Sequence, residues 1–254
     1  MGVPLLIDKS FQGTVSGPEN YPDGIIINLD KPYKWTSADV VRKIKFFLQK
    51  TWHIRNIKVG HAGTLDPLAT GVLVICIGKA TKIAESLQAH RKEYVATVEF
   101  GATTPSYDLE KDYDEFFPFD HISRSKVEEV LPSFLGEQDQ VPPVFSAKMV
   151  NGVRAYEFAR AGEEVELKSS RIDIDRIELQ SFTEAADSPT GRPRATILIG
   201  CSKGTYIRSL ARDLGLALGC GAHLTALMRT ASGDFKINNS ISLEFITSSN
   251  TFAH

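Results

Sequence analysis

Cysteine is scarce in this chain: three residues, Cys76, Cys201 and Cys220, among 254. The number is odd and the spacing wide, so neither a disulfide framework nor a C-x-x-C metal knuckle fits, and reduced thiols in a cytoplasmic protein are expected. Long hydrophobic runs are missing as well. No stretch approaches the roughly 20 apolar residues of a membrane helix. The start, MGVPLLIDKS, has no charged-then-apolar signal pattern, and Leu6 stands where a myristoylation motif wants Ser or Thr. There is no H-E-x-x-H, no P-loop and no G-x-S-x-G, so the usual sequence routes to zinc hydrolysis, nucleotide hydrolysis and serine hydrolysis are closed. A catalytic metal needs three or four ligands, and His53, His61 and Asp66 make a poor set. No internal repeat is visible.

A strong net charge is also lacking, but the balance of −2 hides an asymmetry. Residues 108–139 hold ten acidic and three basic side chains, which leaves the remainder at +5. Residues 31–58 alone carry eight Lys or Arg against one Asp. A solvated helix face explains any single charge run, so the asymmetry permits a polyanionic partner without requiring one.

Residues 1–22, rich in Gly, Pro, Ser and Asn, read as a poorly ordered extension. Next comes GIIINLDKP (24–32), a short buried strand. T-S-A-D opens a helix capped by Thr36 or Ser37, with Val40, Val41, Ile44, Phe47 and Leu48 at helical spacing. VLVICIG (72–78) is a wholly apolar strand. EYVATVEFG (93–101) alternates, with Tyr94, Ala96, Val98 and Phe100 on one face and Val95, Thr97 and Glu99 on the other. SKVEEVLPSFLG (125–136) suggests a helix boxed by Ser125 and Glu128. RIDIDRIELQSF and RATILIGCS (171–182 and 194–202) read as strands, and YIRSLARDLGLALG (206–219) as an amphipathic helix closed by glycine. Short and long connections alternate without regular βαβ order, which points to an α+β domain around a mixed sheet.

Four stretches offer more to a ligand than to a core. GHAGTLDPLATGVL (60–73) sets His61 and Asp66 five apart among glycines. Folding alone can explain it, with Asp66 as helix cap, Pro67 at the first helical position, Gly71 closing the turn and positive φ at Gly60 and Gly63. KEYVATVEFG places a tyrosine at a strand's start, ordinarily a packing residue. SAKMVNGVRAYEFARAG (146–162) interleaves Lys148, Arg154 and Arg160 with Tyr156 and Phe158, which suits stacked bases and a sugar-phosphate backbone but also an exposed loop. In SKGTYIRSLARDLG, Tyr206 and Arg208 lie at a helix start, where anions gather and an arginine can clamp a carboxylate. The residues alone suggest chemistry by an aspartate, without a cofactor, on a polar and anionic substrate.

Together with GCGAHLTALMRTASGDF and DGIIINLDKP, these motifs resemble the bacterial TruB family, the tRNA pseudouridine synthases that act on uridine 55 of the T-loop. The resemblance runs in order from about residue 23 to about residue 243. It implies the pseudouridine synthase fold, a central, largely antiparallel mixed sheet flanked by helices, with an RNA-gripping insertion at 140–162 of a 23–243 catalytic domain. It also implies an isomerase without cofactor or metal, acting as a monomer on the T-arm of tRNA, with no DNA or membrane partner. Carried over residue by residue, Asp66 becomes the catalytic nucleophile and His61 fills the space of the extruded uridine. Tyr94 stacks on the base and takes its proton in the last step. Tyr206 lines the pocket, Arg208 pairs with the catalytic carboxylate, and Leu227 contacts the base.

Three departures stand out. Ala62 replaces a common Thr, Met228 stands where Arg is frequent, and residues 244–254 form a short tail with no room for a PUA domain. A non-catalytic tRNA-binding or folding protein, or a pseudouridine synthase for another RNA, are the competing expectations.

Overall fold

The computed structural model describes residues 2–146, 148–150, 152–155, 157–158, 163, 166–248 and 251–252, with only the backbone of Arg154. It begins with a strand in the segment expected to be poorly ordered. Strand β1 (Leu5–Ile7) pairs in parallel with β2 (Ile25–Lys31), Leu5 opposite Ile25 and Ile7 opposite Ile27. Farther on, Val15 forms a bridge to Phe252, and both Ile7 and Val15 are fully buried. Polar, glycine-rich composition around three apolar residues hid a strand whose stability comes from a partner rather than from its own sequence.

The chain forms two compact units, Met1–Glu93 with Met228–His254, and Tyr94–Leu227. In the first, helix α1 (Ser37–Thr51) starts on the expected signal. The Thr36 hydroxyl accepts from the Asp39 N–H at 3.0 Å, and the Asp39 carboxylate accepts from the Thr36 N–H at 3.0 Å. This reciprocal box satisfies two otherwise orphaned donors. Val40, Ile44 and Leu48 form its fully buried stripe. Strand β3 (Val59–His61) and the nine-residue β4 (Ala69–Ile77) follow, then α2 (Ala84–Ala89) and the start of β5 (Lys92–Phe100), which belongs to the second unit from Tyr94 on. β4 is buried along nearly its whole length, as a run without polar alternation requires. It pairs antiparallel with β2 on one side and with β3 on the other.

In the second unit come α3 (Arg124–Val130), β6 (Gly136–Gln140), β7 (Ser170–Thr183), β8 (Arg194–Cys201), α4 (Ile207–Ala217) and β9 (Ala222–Ser232). α3 is capped by Ser123, whose hydroxyl accepts from the Lys126 N–H, so the helix starts earlier than the Ser125–Glu128 pair suggested. α4 packs closely at Gly215, where a Cβ would collide with the backbone of Ala222. The chain re-enters the first unit within β9 at Met228. β10 (Phe235–Lys236), β11 (Ile241–Ser242) and α5 (Leu243–Ser248) complete it.

The strand order in the first unit is β1, β2, β4 and the part of β9 belonging to it; in the second it is the rest of β9, then β5, β8, β7 and β6. β1 and β11 are parallel to β2, whereas β2–β4, β7–β8 and β6–β7 are antiparallel. The fold is thus α+β, with mixed and largely antiparallel sheet flanked by helices. The described residues of the C-terminal segment are also packed. Leu243 and Ile246 are buried, and the Phe252 ring packs on Phe47 and Trp52 at 6.0 and 5.9 Å. No described helix is long and apolar enough to cross a membrane.

One polar residue of β5 departs from the alternation. Glu99, expected on the face opposite Tyr94, is fully buried. Its carboxylate accepts from Arg194 at 2.7 Å and from Thr190 at 2.7 Å, with Arg192 at 3.5 Å and the Tyr113 hydroxyl at 3.4 Å. Paired and hydrogen-bonded, the buried charge is tolerable. His223 closes the group, with Nδ1 at 2.9 Å from the Ala102 carbonyl, and burial pushes its pKa below the ordinary histidine value.

A histidine held neutral in the fold takes up a proton more readily when unfolded. Stability is therefore lost as pH falls below the ordinary histidine value of 6.5. The loss is at most about 1.4 kcal/mol per pH unit per histidine. Urea midpoints should fall between pH 7.5 and 5.5, and His223→Gln should flatten that slope; an unchanged slope would show that His223 is not the titrating group.

Candidate active site

Asp66 lies between β3 and β4, and the residues around it are held by their backbone. The expected helix start does not form: Asp66 and Pro67 enter a turn in which the Ala69 N–H donates to the Asp66 carbonyl at 3.1 Å. From Ala69 onward the chain is committed to β4, and tertiary pairing overrides the local Asp-Pro signal. Gly63 takes φ +103°, which its neighbours' tight turn requires, whereas Gly60 keeps an ordinary φ.

The Ser37 hydroxyl, at the first position of α1, accepts from the Leu65 N–H at 2.9 Å and donates to the Leu65 carbonyl at 3.1 Å. Next, the Lys34 N–H donates to the Pro67 carbonyl at 2.9 Å, and the Gly71 N–H donates to Asp30 Oδ1 at 3.1 Å. Two fully buried cations complete the frame. Lys31 Nζ donates to the carbonyls of Pro32, Trp35 and Pro67 at 2.9, 2.5 and 3.3 Å. Burial lowers its pKa to about 8, opposed by the charge of Asp66. Arg229 donates through Nε to the Val72 carbonyl at 2.7 Å, through Nη2 to Gly63 at 3.0 Å and through Nη1 to Thr64 at 3.4 Å.

His61 ends β3. Its Nδ1 is buried and has no hydrogen-bond partner among the described residues. Burial, assisted by Arg229, pushes its pKa down, so a neutral ring stands close in sequence to Asp66. Such a ring can fill an apolar space or stack without attracting a phosphate.

The other candidates belong to the second unit. Tyr94 lies on the buried face of β5 with Ala96 and Val98. Tyr206 caps α4; its N–H donates to Gln140 Oε1 at 2.8 Å, and Gln140 Nε2 returns a bond to its carbonyl at 3.1 Å. Arg208, almost fully buried, donates through Nη1 to the Ser106 carbonyl at 3.2 Å and lies 3.7 Å from Asp108. Leu227, on β9, is half-buried. Sequence reasoning missed Lys31, Ser37, Arg229, Gln140 and Asp108. Lys31 belongs to a quoted motif, but nothing in D-K-P signals a buried amine. Of the basic–aromatic stretch, Tyr156, Arg160 and the Arg154 side chain lie outside the described residues. Met149–Val150 and Val153–Arg154 pair there as a small hairpin. Among the described residues no three His, Cys, Asp or Glu side chains are grouped to hold a metal ion.

The family model for the TruB family pseudouridylate synthase N-terminal domain matches residues 49–207, and that for the tRNA pseudouridylate synthase B C-terminal domain matches 208–253. The chain belongs to the TruB family of pseudouridylate synthases. It is accordingly an isomerase. A TruB-family relative from Phocaeicola vulgatus, named tRNA pseudouridine synthase B, is 53% identical over 89% of this chain and 92% of its own length. Another of that name, from Flavobacterium johnsoniae, is 48% identical over 89% of this chain and 96% of its own. Among solved structures, a Cbf5–Nop10–Gar1 complex contains a chain similar to this TruB-family protein, with TM-score 0.63 and 33% identity. That match covers 88% of this chain and 53% of the other, so this chain spans about half the length of that structural relative.

Proposed function

We propose that this enzyme isomerises uridine 55 in the T-loop of tRNA to pseudouridine in the cytoplasm, acting as a monomer with Asp66 as the reacting carboxylate. The observation that carries the reading is the backbone frame around Asp66, held by Ser37, Lys31, Lys34, Asp30 and Arg229. A turn pinned this densely serves a side chain that must be presented in one geometry. The relatives named tRNA pseudouridine synthase B supply the substrate.

The chemistry suits the residue types. The N1–C1′ bond breaks, a C5–C1′ bond forms, the C5 proton leaves and N1 gains one, so substrate and product are isomers and no redox partner is consumed. An ionised carboxylate serves this either by attacking C1′ or by removing the 2′ proton. The base must leave its stack first, and His61 takes its place while Tyr94 stacks on it. Tyr206 and Leu227 line the base, and Arg208 serves as the partner of the carboxylate. The test is tritium release from C5-labelled uridine in a tRNA transcript. Release should vanish when cytidine occupies position 55; continued release would place the target elsewhere.

The basic helix supports a polyanionic substrate. α1 exposes Arg42, Lys43, Lys45 and Lys50 around Phe46, itself 67% exposed, and Arg55 and Lys58 follow. At 1.5 Å per residue this face extends for roughly 20 Å from Ser37, which grips the Asp66 turn. Combined Lys43→Glu, Lys45→Glu and Lys50→Glu should weaken tRNA binding and lower the salt slope by about 2 to 3, since each phosphate contact contributes about 0.7 to 0.9. Neutralising exposed Glu110 and Asp112 should change neither. Unaltered affinity in the triple variant would remove α1 from the RNA-binding surface.

A further inference from the structure

We propose that Arg229 is a positioning residue for the reaction, clamping the backbone on both sides of Asp66; this rests on the assignment of Asp66 above. Its three acceptors are the carbonyls of Gly63 and Thr64, just before Asp66, and of Val72, just after the turn. A single planar fork thereby ties the entry and exit of the segment to each other.

The environment separates this from ordinary packing. Arg229 is 1% exposed, among the largest fully buried side chains of the protein. Among the described residues no carboxylate lies within ion-pair distance of its guanidinium. A buried cation answered only by neutral carbonyls is costly, and replacing it by an apolar side chain would leave those carbonyls without its donors. What an apolar residue cannot supply is the directed set of donors that fixes where three carbonyls point.

Neighbouring residues are fitted to the same contact. Gly71, at φ +98°, has no room for a Cβ, which would collide with the backbone of Arg229. The absence of that side chain lets β4 and β9 approach closely enough for the guanidinium to reach Val72. The charge of Arg229 also acts on both His61 and Lys31, lowering the pKa of each, so its field covers the ring before Asp66 and the amine that holds Pro67. Arg229 thus acts on the reaction through the loop, without touching substrate.

The test compares Arg229→Met and Arg229→Lys in steady-state turnover, tRNA affinity and thermal midpoint. Misplacing a reacting group by about 1 Å costs on the order of a hundredfold in rate. Arg229→Met should lose about that factor in kcat, with Kd for tRNA within about threefold of wild type. Arg229→Lys keeps the charge but not the fork, and should lose about tenfold in kcat with its midpoint and Kd preserved. If Arg229→Met does not fold, the lysine variant decides. Wild-type kcat in a folded variant would overturn the proposal, as would kcat, affinity and midpoint falling together in both. Asp66→Asn, run in parallel, separates this from the parent reading: activity in that variant defeats the assignment of Asp66, whereas activity only in the Arg229 variants defeats the clamp.

Discussion

Asp66→Asn should bind tRNA within about threefold of wild type and release tritium from C5-labelled uridine at least about 10⁴-fold more slowly, the scale on which loss of a reacting group acts. The amide has nearly the shape of the carboxylate but cannot attack C1′ or accept the 2′ proton. The turn itself should survive, because its bonds run through backbone atoms: the Asp66 carbonyl to the Ala69 N–H, and Leu65 to Ser37. Affinity should survive too, since phosphate contacts dominate RNA binding and Asp66 makes none. Substantial residual release would move the chemistry to another group.

The second large effect is expected at Tyr94. The ring and the hydroxyl have separable tasks, the ring stacking on the extruded base and the hydroxyl accepting the C5 proton. Tyr94→Phe should keep stacking, worth roughly 1–3 kcal/mol per base, and so keep tRNA affinity. Product formation should fall by about 10²- to 10⁴-fold, the usual worth of a positioned general base. The ring is largely enclosed on the apolar face of β5, where phenylalanine is well accommodated. Equal turnover by Tyr94→Phe and the wild-type enzyme would leave Tyr94 with packing alone.

Elements whose stability is local were legible in the sequence. The Thr36–Asp39 box starts α1 where expected, and Val40, Ile44 and Leu48 form its inner stripe. The unbroken apolar run of β4 and the alternation of β5 also describe what forms, because burial on both faces or on one leaves a direct imprint on residue choice. The unread parts depend on distant partners. β1 exists because Ile25–Ile27 accept it, and the terminal Phe252 docks because Phe47 and Trp52 are there. Glu99 looks like an outward residue until Arg194, 95 positions away, is folded against it.

The same limit governs the site. Asp66 and His61 stood out because their motif is contiguous and glycine-fenced. Arg229 did not, because its acceptors are backbone carbonyls 157 to 166 residues away, and a carbonyl has no letter in the sequence. Lys31, in D-K-P at a strand's end, reads as a solvated cation, yet it is fully buried on three carbonyls. The residue expected to react was visible; the cations that hold its loop were not.

Nucleotide-resolution mapping of pseudouridine in an unmodified, full-length tRNA transcript after incubation with the wild-type chain tests the account most directly. The expected result is one new pseudouridine, at position 55, absent after identical treatment with Asp66→Asn. Pseudouridine at another position, or at 55 with the Asp66→Asn protein, would contradict it.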